Sequence, residues 1–396
     1  MSAAFRLFGA ETSAFSTKLR SYLRYKGMDH EWIARTVDTE ADLNQLARFR
    51  TLPVLVTASG YAVHDTTPTI EALETDNPTP EIMPNDPACA MLAVILEDYA
   101  DLWLSKVVVQ YRWGRKKDQK DAANRAIDEY YGENVPENRK ELEKISIEQM
   151  TERMPLIGLD KEMGGVVEKS FKRFVKLLNA HLEKHLYIFG GRPSLADFGI
   201  AAQIRQLLMD PTPAKIIEKD GAFIKAWVEF MDDPKPGGPF DPIKDVEETL
   251  KPIFAKEIAV TYLPWAAANL EASMSREDEV QVTLAKDEVS HKPLKSAARS
   301  FRDTRRKFAM ALEGDNTEDL LAFLEKTKSD TWLRRPERDD SEGEEGGKRR
   351  RRRGRRNNRR KPGNDDNTNA SAENPADDQT AEPVSDGAGA EVPKDD

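Results

Sequence analysis

Residues 53–64 read PVLVTASGYAVH, and this stretch decides the fold of the amino-terminal part of the chain. Two short apolar runs, 53–56 and 61–64, flank the pair Ser59-Gly60, which is a hairpin signal. Working outward, the flanking sequence predicts strands at 4–8 and 30–33 and helices at 17–26, 40–49 and 67–73. The resulting order β-α-β-α-β-β-α indicates a small α/β domain.

The next part of the chain has mainly helical periodicity. Apolar residues recur every three or four positions over 86–113 and 165–186, which favours amphipathic helices. Further helices are predicted at 223–231, 243–270, 293–312 and 317–326, and the alternation over 280–284 predicts a small hairpin. We therefore expect an α/β domain at 1–80, a helical domain at 86–235 and a mainly helical extension at 236–330.

The composition changes beyond residue 334. Eleven of the fourteen residues from Lys348 to Lys361 are Lys or Arg, and almost nothing large and apolar follows them. Such a segment buries too little apolar surface to offset the entropy of ordering it, so we expect 334–396 to be a disordered, charged tail. The basic run suits weak binding of nucleic-acid phosphates through counterion release, although it has no aromatic residues for base stacking. A solvated or self-paired tail and contact with anionic lipid are the alternatives.

Composition excludes several classes of protein. The chain has 396 residues and a net charge of −10; 39% of its residues are hydrophobic and 33% are charged, which is typical of a folded body with a disordered appendage. The single cysteine, Cys89, excludes an internal disulfide framework. The scattered histidines argue against a His-based metal site, so no metal is expected. No apolar run is long enough to span a bilayer and no secretory signal is evident, so a cytoplasmic protein is expected.

A serine pair between the first strand and the first helix carries the first candidate chemistry. Ser13 and Ser16 lie at a helix start, where free N–H groups and the helix dipole favour an anion. A hydroxyl there could donate to a thiolate and hold it ionised near neutral pH. The structural alternative is an N-cap, which either serine could supply.

Two further motifs suit a peptide ligand. A cis bond at Leu52-Pro53 would leave backbone groups of Leu52 free to pair with an extended peptide, whereas a trans proline at a strand edge is the structural alternative. Asp65-Thr66 stands at a helix start, where the hydroxyl and N–H groups suit a ligand carboxylate and the acid suits an ammonium. A plain capping pair would look the same.

A fourth motif, Ser194-x-x-Asp197, has the spacing of a capping box and opens a helix rich in small residues. The order of the four motifs resembles the cytosolic glutathione S-transferase family over roughly the first 235 residues. The resemblance implies a thioredoxin-like, glutathione-binding domain at 1–80 and the family's helical domain at 86–235. It also implies a possible homodimer.

The resemblance assigns roles to individual residues. Ser13 stands where theta- and zeta-class members have a catalytic serine. Leu52 and Pro53 match the pair that binds the cysteinyl backbone of glutathione, and Asp65 and Thr66 match the pair that holds its γ-glutamyl end.

Arg50 is a candidate for the glycyl carboxylate, although many members place a basic or amide side chain where this chain has Thr51. The charged insert at 114–160 and the extension at 240–330 also depart from the family pattern.

Two functions follow as hypotheses. The first is an enzyme that binds glutathione as co-substrate and transfers its thiolate to an electrophile. The second is a non-catalytic scaffold of the same fold, which contacts protein or nucleic acid through its extension and Arg-rich tail. Aromatic residues on the long helix at 86–113 are more often core, but part of them could line an apolar cleft for the electrophile; they are Tyr99, Trp103, Tyr111 and Trp113.

Overall fold

The structure is a computed structural model and describes residues 4–46 and 51–334. Its amino-terminal part contains four strands: β1 (Phe5–Gly9), β2 (His30–Ala34), β3 (Val54–Thr57) and β4 (Ala62–Val63). They form one sheet in the order β2-β1-β3-β4. β1 and β2 run parallel, whereas β3 is antiparallel to both β1 and β4. The thioredoxin-like α/β fold expected from the sequence is confirmed.

Three helices belong to this part: α1 (Ala14–Tyr25), α2 (Glu40–Leu46) and α3 (Thr66–Asp76). In α1, Leu19, Tyr22 and Leu23 recur at helical spacing and are buried in the main hydrophobic core. Gly27 follows the C-cap with a φ of 64°, a conformation that glycine adopts without steric cost, so it ends α1 as the sequence predicts.

The helical domain packs beside the sheet. Its helices are α4 (Pro87–Tyr99), α5 (Ser105–Trp113), α6 (Lys116–Tyr131), α7 (Arg139–Arg153), α8 (Lys161–Leu182), α9 (Leu195–Met209), α10 (Pro211–Asp220) and α11 (Ala222–Phe230). A π-helical turn, Ala100–Leu104, joins α4 to α5. The predicted capping box opens α9: Ser194 caps the helix, and Asp197 Oδ2 accepts from the Ser194 N–H at 2.8 Å.

The carboxyl-terminal extension adds five helices and a hairpin. They are α12 (Ile243–Lys256), α13 (Tyr262–Ser275), β5 (Val280–Leu284), β6 (Asp287–His291), α14 (Lys295–Leu312), α15 (Glu318–Thr327) and α16 (Asp330–Leu333). β5 and β6 pair antiparallel, which confirms the predicted hairpin. The prediction of one helix over 243–270 is wrong, because the chain breaks between α12 and α13.

A buried carboxylate accompanies this break. Glu257 is fully buried, and its carboxylate accepts from Ser170 on α8 and, at 2.9 Å, from Thr261 Oγ1. Arg173 Nη2 lies 2.5 Å from Glu257 Oε2. The break in the helix between Glu257 and Thr261 allows the buried Glu257 carboxylate to be hydrogen-bonded and paired. The apolar pattern over 243–270 does not reveal this requirement.

A second buried carboxylate joins the extension to α4. Asp98 accepts hydrogen bonds from Tyr262 on α13 and from Ser300 on α14, and from Thr304 Oγ1 at 2.9 Å. Burial raises the pKa of Asp98 to about 6 against the effect of these donors. The extension therefore lies against α4 and is integral to the fold.

The four aromatic residues of the long helical segment are all buried in the main core. They are Tyr99, Trp103, Tyr111 and Trp113. The interpretation of this stripe as core is therefore confirmed. Across residues 4–46 and 51–334, no helix has both the length and the apolar character that a bilayer crossing needs.

Candidate functional site

The loop between β1 and α1 ends at a buried serine. Ser13 is fully buried and is the N-cap of α1, where its Oγ accepts from the Ser16 N–H at 3.3 Å. The capping role foreseen for this residue is thus present in the structure. Ser16 is also fully buried, and its Oγ has no hydrogen-bond partner among the described residues.

Side chains of the helical domain hold this loop in place. The Glu129 carboxylate accepts from the Thr12 N–H at 3.2 Å and from Thr12 Oγ1 at 2.6 Å. Arg112 Nη1 donates to the Thr12 carbonyl at 3.1 Å, and Gln206 Nε2 donates to the Glu11 carbonyl at 2.8 Å. Helices α5, α6 and α9 therefore fix the backbone that leads to Ser13.

The Leu52–Pro53 peptide bond is cis. Pro53 leads into β3, whose Val54 pairs with Phe8 of β1. Within residues 4–46 and 51–334, the backbone N–H and C=O of Leu52 make no backbone hydrogen bond. This edge therefore has a donor and an acceptor that an extended peptide could use as a further strand would.

The start of α3 brings together a strained acid and an unpartnered hydroxyl. Asp65 precedes α3 with φ 73° and ψ 119°, a conformation that a non-glycine residue rarely adopts. Thr66, the first residue of α3, is 2% exposed, and its Oγ1 is buried without a hydrogen-bond partner in the described part of the chain. A buried hydroxyl of this kind costs free energy unless something else bonds to it.

A buried ammonium lies next to this helix start. Lys18 Nζ lies 2.5 Å from Glu97 Oε1 and 2.6 Å from Asp101 Oδ2. Thr67 Oγ1 donates to the same Glu97 oxygen at 2.5 Å. Burial disfavours the ammonium, but attraction to Asp101 and Glu97 outweighs it, so the pKa of Lys18 is raised.

Asp101 and Asp65, both near Lys18, have perturbed pKa values. Burial, reinforced by the neighbouring Glu97 charge, raises the pKa of Asp101 to about 7 against the attraction of Lys18. Burial likewise raises the pKa of Asp65, and Lys18 opposes that shift. Asp101 Oδ1 is buried and has no partner among the described residues, so it is an acceptor available to a ligand cation.

A cleft of about 630 Å³ lies between the first turn of α1, helix α5 and the extension. Its lining includes Phe15, Asp101, Lys106, Trp265 and His291. Asp101 also belongs to the Lys18 cluster, so the cleft adjoins the start of α3. Within the described residues, no three His, Cys, Asp or Glu side chains are grouped so that they could hold a metal ion.

The structure separates the predicted site residues into two groups. Ser13, Leu52, Pro53, Asp65 and Thr66 are all described, and none of them lines the 630 Å³ cleft. Arg50, and the basic run from Lys348 to Lys361, lie outside the described residues.

Sequence reasoning missed two sets of residues. The pattern did not pair Lys18 with Glu97 and Asp101, although the acids at the end of the apolar helix α4 and in the turn after it were a visible signal. Sequence reasoning also missed Lys106 and His291, because the extension that brings His291 to the cleft contains no recognisable motif.

Two family models match the chain. Residues 12–76 match the model described as the N-terminal domain of glutathione S-transferase, and residues 136–230 match its C-terminal domain. No curated protein matches the chain significantly.

Solved structures of glutathione S-transferases are among those that match the chain. One from Methylobacterium radiotolerans, in complex with glutathione sulfonate, is 18% identical, covers 57% of this chain and 94% of its own, and has a TM-score of 0.33. One from Rhodospirillum rubrum is 15% identical, covers 62% and 99%, and has a TM-score of 0.38. A tau-class enzyme from mango, Mangifera indica, is 17% identical, covers 64% and 97%, and has a TM-score of 0.36.

Proposed function

We propose that this chain, a member of the glutathione S-transferase family, binds reduced glutathione and transfers its thiolate to an electrophile. The observation that carries the binding proposal is the buried Thr66 Oγ1 at the start of α3, which has no hydrogen-bond partner among residues 4–46 and 51–334 and directly follows the strained Asp65. Strain and an unsatisfied hydroxyl at one place indicate a ligand that supplies the missing partner.

The γ-glutamyl end of glutathione carries both a carboxylate and an ammonium. Its carboxylate would accept from Thr66 Oγ1 and from the Thr66 N–H at the start of α3, where the helix dipole favours an anion. Its ammonium would be held by Asp65 and by Asp101 Oδ1, which has no partner among the described residues. The Lys18 cluster supports this arrangement because its two acids outnumber its one cation.

The cysteinyl part would extend along the edge at Leu52. In the described part of the chain the N–H and C=O of Leu52 make no backbone hydrogen bond, which supports pairing with the ligand backbone, and Pro53 shapes that edge. Arg50 is our proposal for the glycyl carboxylate; it lies outside the described residues.

The sulfur chemistry is assigned to Ser13. Its hydroxyl keeps a proton to donate while its Oγ caps α1, and the helix N-terminus favours the thiolate over the thiol. The thiol proton is lost to solvent. The thiolate then forms the new carbon–sulfur bond, and the electrophile either expels a leaving group, which is chloride for chlorodinitrobenzene, or, where it is an activated double bond, takes up a proton from water at the adjacent carbon. Because Ser13 is fully buried, this role requires side chains over the start of α1 to move aside when glutathione binds, while the loop backbone stays held by the helical domain. Ser16, whose Oγ has no hydrogen-bond partner within the described part of the chain, is the alternative donor.

Turnover of chlorodinitrobenzene and calorimetric binding of glutathione, measured on the same variants, test Ser13. Both Ser13→Ala and Ser13→Gly remove the hydroxyl. Loss of the helix cap lowers stability by about 1 kcal/mol in the alanine variant but by only a few tenths of a kcal/mol in the glycine variant. We expect both to lose at least tenfold in turnover with little change in glutathione affinity. Turnover equal to wild type in both variants removes Ser13 from the mechanism, and Ser16→Ala is then the next variant.

The burial of Ser13 also favours the second candidate, a scaffold without turnover. This candidate is supported by a basic surface on α14, where Arg299, Arg302 and Arg306 are exposed and share one helix face. With the run from Lys348 to Lys361 they would bind nucleic-acid phosphates.

Fluorescence anisotropy with a labelled single-stranded RNA tests the scaffold candidate. We expect binding that weakens steeply with salt and that is lost when 348–361 are deleted. RNA binding unchanged by the deletion, or no binding at low salt, contradicts this candidate.

A further inference from the structure

Lys106 is a buried lysine that lines the 630 Å³ cleft. It lies on α5, and its residue is 4% exposed. Its Nζ donates to the Ile157 carbonyl and lies 4.8 Å from the centroid of the Trp265 ring. One carbonyl and one ring face are few partners for an ammonium, which has three protons to donate.

Lys18 provides a comparison within the same chain. Both lysines are buried, but two carboxylates lie within 2.6 Å of Lys18 Nζ, whereas no ion pair of Lys106 is found among residues 4–46 and 51–334. Burial is the cause that lowers the pKa of Lys106, to about 7. The two lysines therefore differ in which protonation state their surroundings favour.

The neighbouring histidine adds no proton to the cleft. His291 Nε2 accepts from Trp265 Nε1 at 2.8 Å, and its Nδ1 lies 2.8 Å from the Lys292 carbonyl, which fixes a neutral imidazole with Nδ1 protonated. Burial lowers the pKa of His291 to about 4. The other charged residues that line the cleft are Asp101, Asp160, Asp278, Glu279, Lys292 and Lys295.

We propose that Lys106 is a covalent site for a carbonyl compound, an aldehyde or ketone whose apolar body fits the cleft beside Trp265. The amine nitrogen adds its lone pair to the carbonyl carbon and forms a carbinolamine. Loss of water then leaves a carbon–nitrogen double bond, so that both amine protons depart with the carbonyl oxygen and no oxidant or reductant is consumed. A desolvated lysine without an anionic partner is the form of the side chain that does this chemistry.

This assignment goes beyond the proposed function, because it uses the cleft and needs no glutathione. The neutral amine also satisfies its surroundings better than the ammonium. One N–H bonds to Ile157, another can face the Trp265 ring, and the lone pair is left for the ligand. A carbonyl ligand is therefore selected by the nitrogen, and its size is limited by the cleft.

Reductive trapping on the full-length wild-type chain tests the assignment. The chain is incubated with benzaldehyde and cyanoborohydride, without glutathione, and benzylated lysines are located by peptide mass spectrometry. Lys144, which is 74% exposed, is the reference lysine. A surface lysine with a pKa near 10.4 is neutral about a thousandfold less often at pH 7 than an amine with a pKa of about 7. Allowing for slower access, we expect Lys106 to react at least tenfold faster than Lys144.

The pH profile decides between a reactive amine and incidental labelling. Lys106 labelling is expected to level off above about pH 8, whereas labelling of a free lysine ε-amine in solution rises toward pH 10. Labelling of Lys106 no faster than that of Lys144, or a profile that rises in parallel with it, overturns the assignment.

Lys106→Arg keeps a cation and a donor for the Ile157 carbonyl but forms no imine. This variant should lose the adduct at position 106 and retain wild-type labelling at Lys144. Since the wild-type comparison needs no variant and no thiol, its failure is distinct from a failure of glutathione binding.

Discussion

Replacing Arg112 with Met removes the group that ties α5 to the β1–α1 loop. Arg112 Nε lies 3.0 Å from Asp210 Oδ2, and the exposed fractions of the two side chains are 2% and 0%. The same guanidinium bonds to the Thr12 carbonyl and to Gln206 Oε1, at 3.1 and 2.9 Å. Breaking a buried pair usually costs about 3–5 kcal/mol. We expect about 3 kcal/mol, the lower end, because Arg125 still pairs with Asp210.

Urea unfolding followed by circular dichroism measures this loss as a lower midpoint at an unchanged slope. Arg139→Met is the matched control, since its ion pair with Asp128 has side chains 37% and 56% exposed. An exposed pair contributes at most about 1 kcal/mol, so the control should unfold close to wild type. Equal midpoints for the two variants would refute the view that the buried bonds of Arg112 stabilise the fold.

Three further variants have defined outcomes. Lys106→Met should raise stability most below pH 7. The lowered pKa of Lys106 makes the unfolding free energy of the wild-type chain rise between about pH 7 and 10, by at most about 1.4 kcal/mol per pH unit, so the advantage of the variant shrinks over that range. An advantage in urea unfolding that does not change with pH contradicts this. Asp65→Gly should relieve the backbone strain at φ 73° and raise the unfolding free energy by about 0.5–1 kcal/mol while weakening glutathione binding, and a lower melting temperature counts against it. Lys18→Met should cost about 3–5 kcal/mol in urea unfolding because it leaves two buried carboxylates uncompensated, and a loss below 1 kcal/mol is the contrary result.

The order of elements in the amino-terminal domain was predictable because each element has a local signal. The turn at Ser59-Gly60 and the terminator Gly27 mark element ends within a few residues. The sheet order β2-β1-β3-β4 was not predictable, since strand pairing joins residues far apart in the sequence. Helices α6 and α7 were not predicted because both lie in a highly charged segment. The buried face of α6 is mostly alanine, as at Ala122 and Ala126, and α7 buries only Leu142, Ser146 and Met150.

The candidate site divides in the same way. Ser13, Leu52 and Asp65 stand at element ends that the sequence marks, so they could be named in advance. The Lys18–Glu97 pair spans 79 positions, and only folding shows that the acid of α4 neutralises the base of α1. The long-range contact that fixes the tautomer of His291, a hydrogen bond from Trp265, belongs to an extension without a recognisable motif.

Calorimetric titration of reduced glutathione into the full chain and into Thr66→Val tests the central claim most directly. Valine keeps the shape of threonine and removes the buried hydroxyl that has no partner in the described residues. A hydrogen bond to a charged group contributes about 1.5–3 kcal/mol, so the variant should bind roughly tenfold to a hundredfold more weakly, with thermal stability equal to or above that of wild type. No heat from the wild-type chain at millimolar glutathione, or equal affinity in both chains, would contradict a glutathione site at the start of α3.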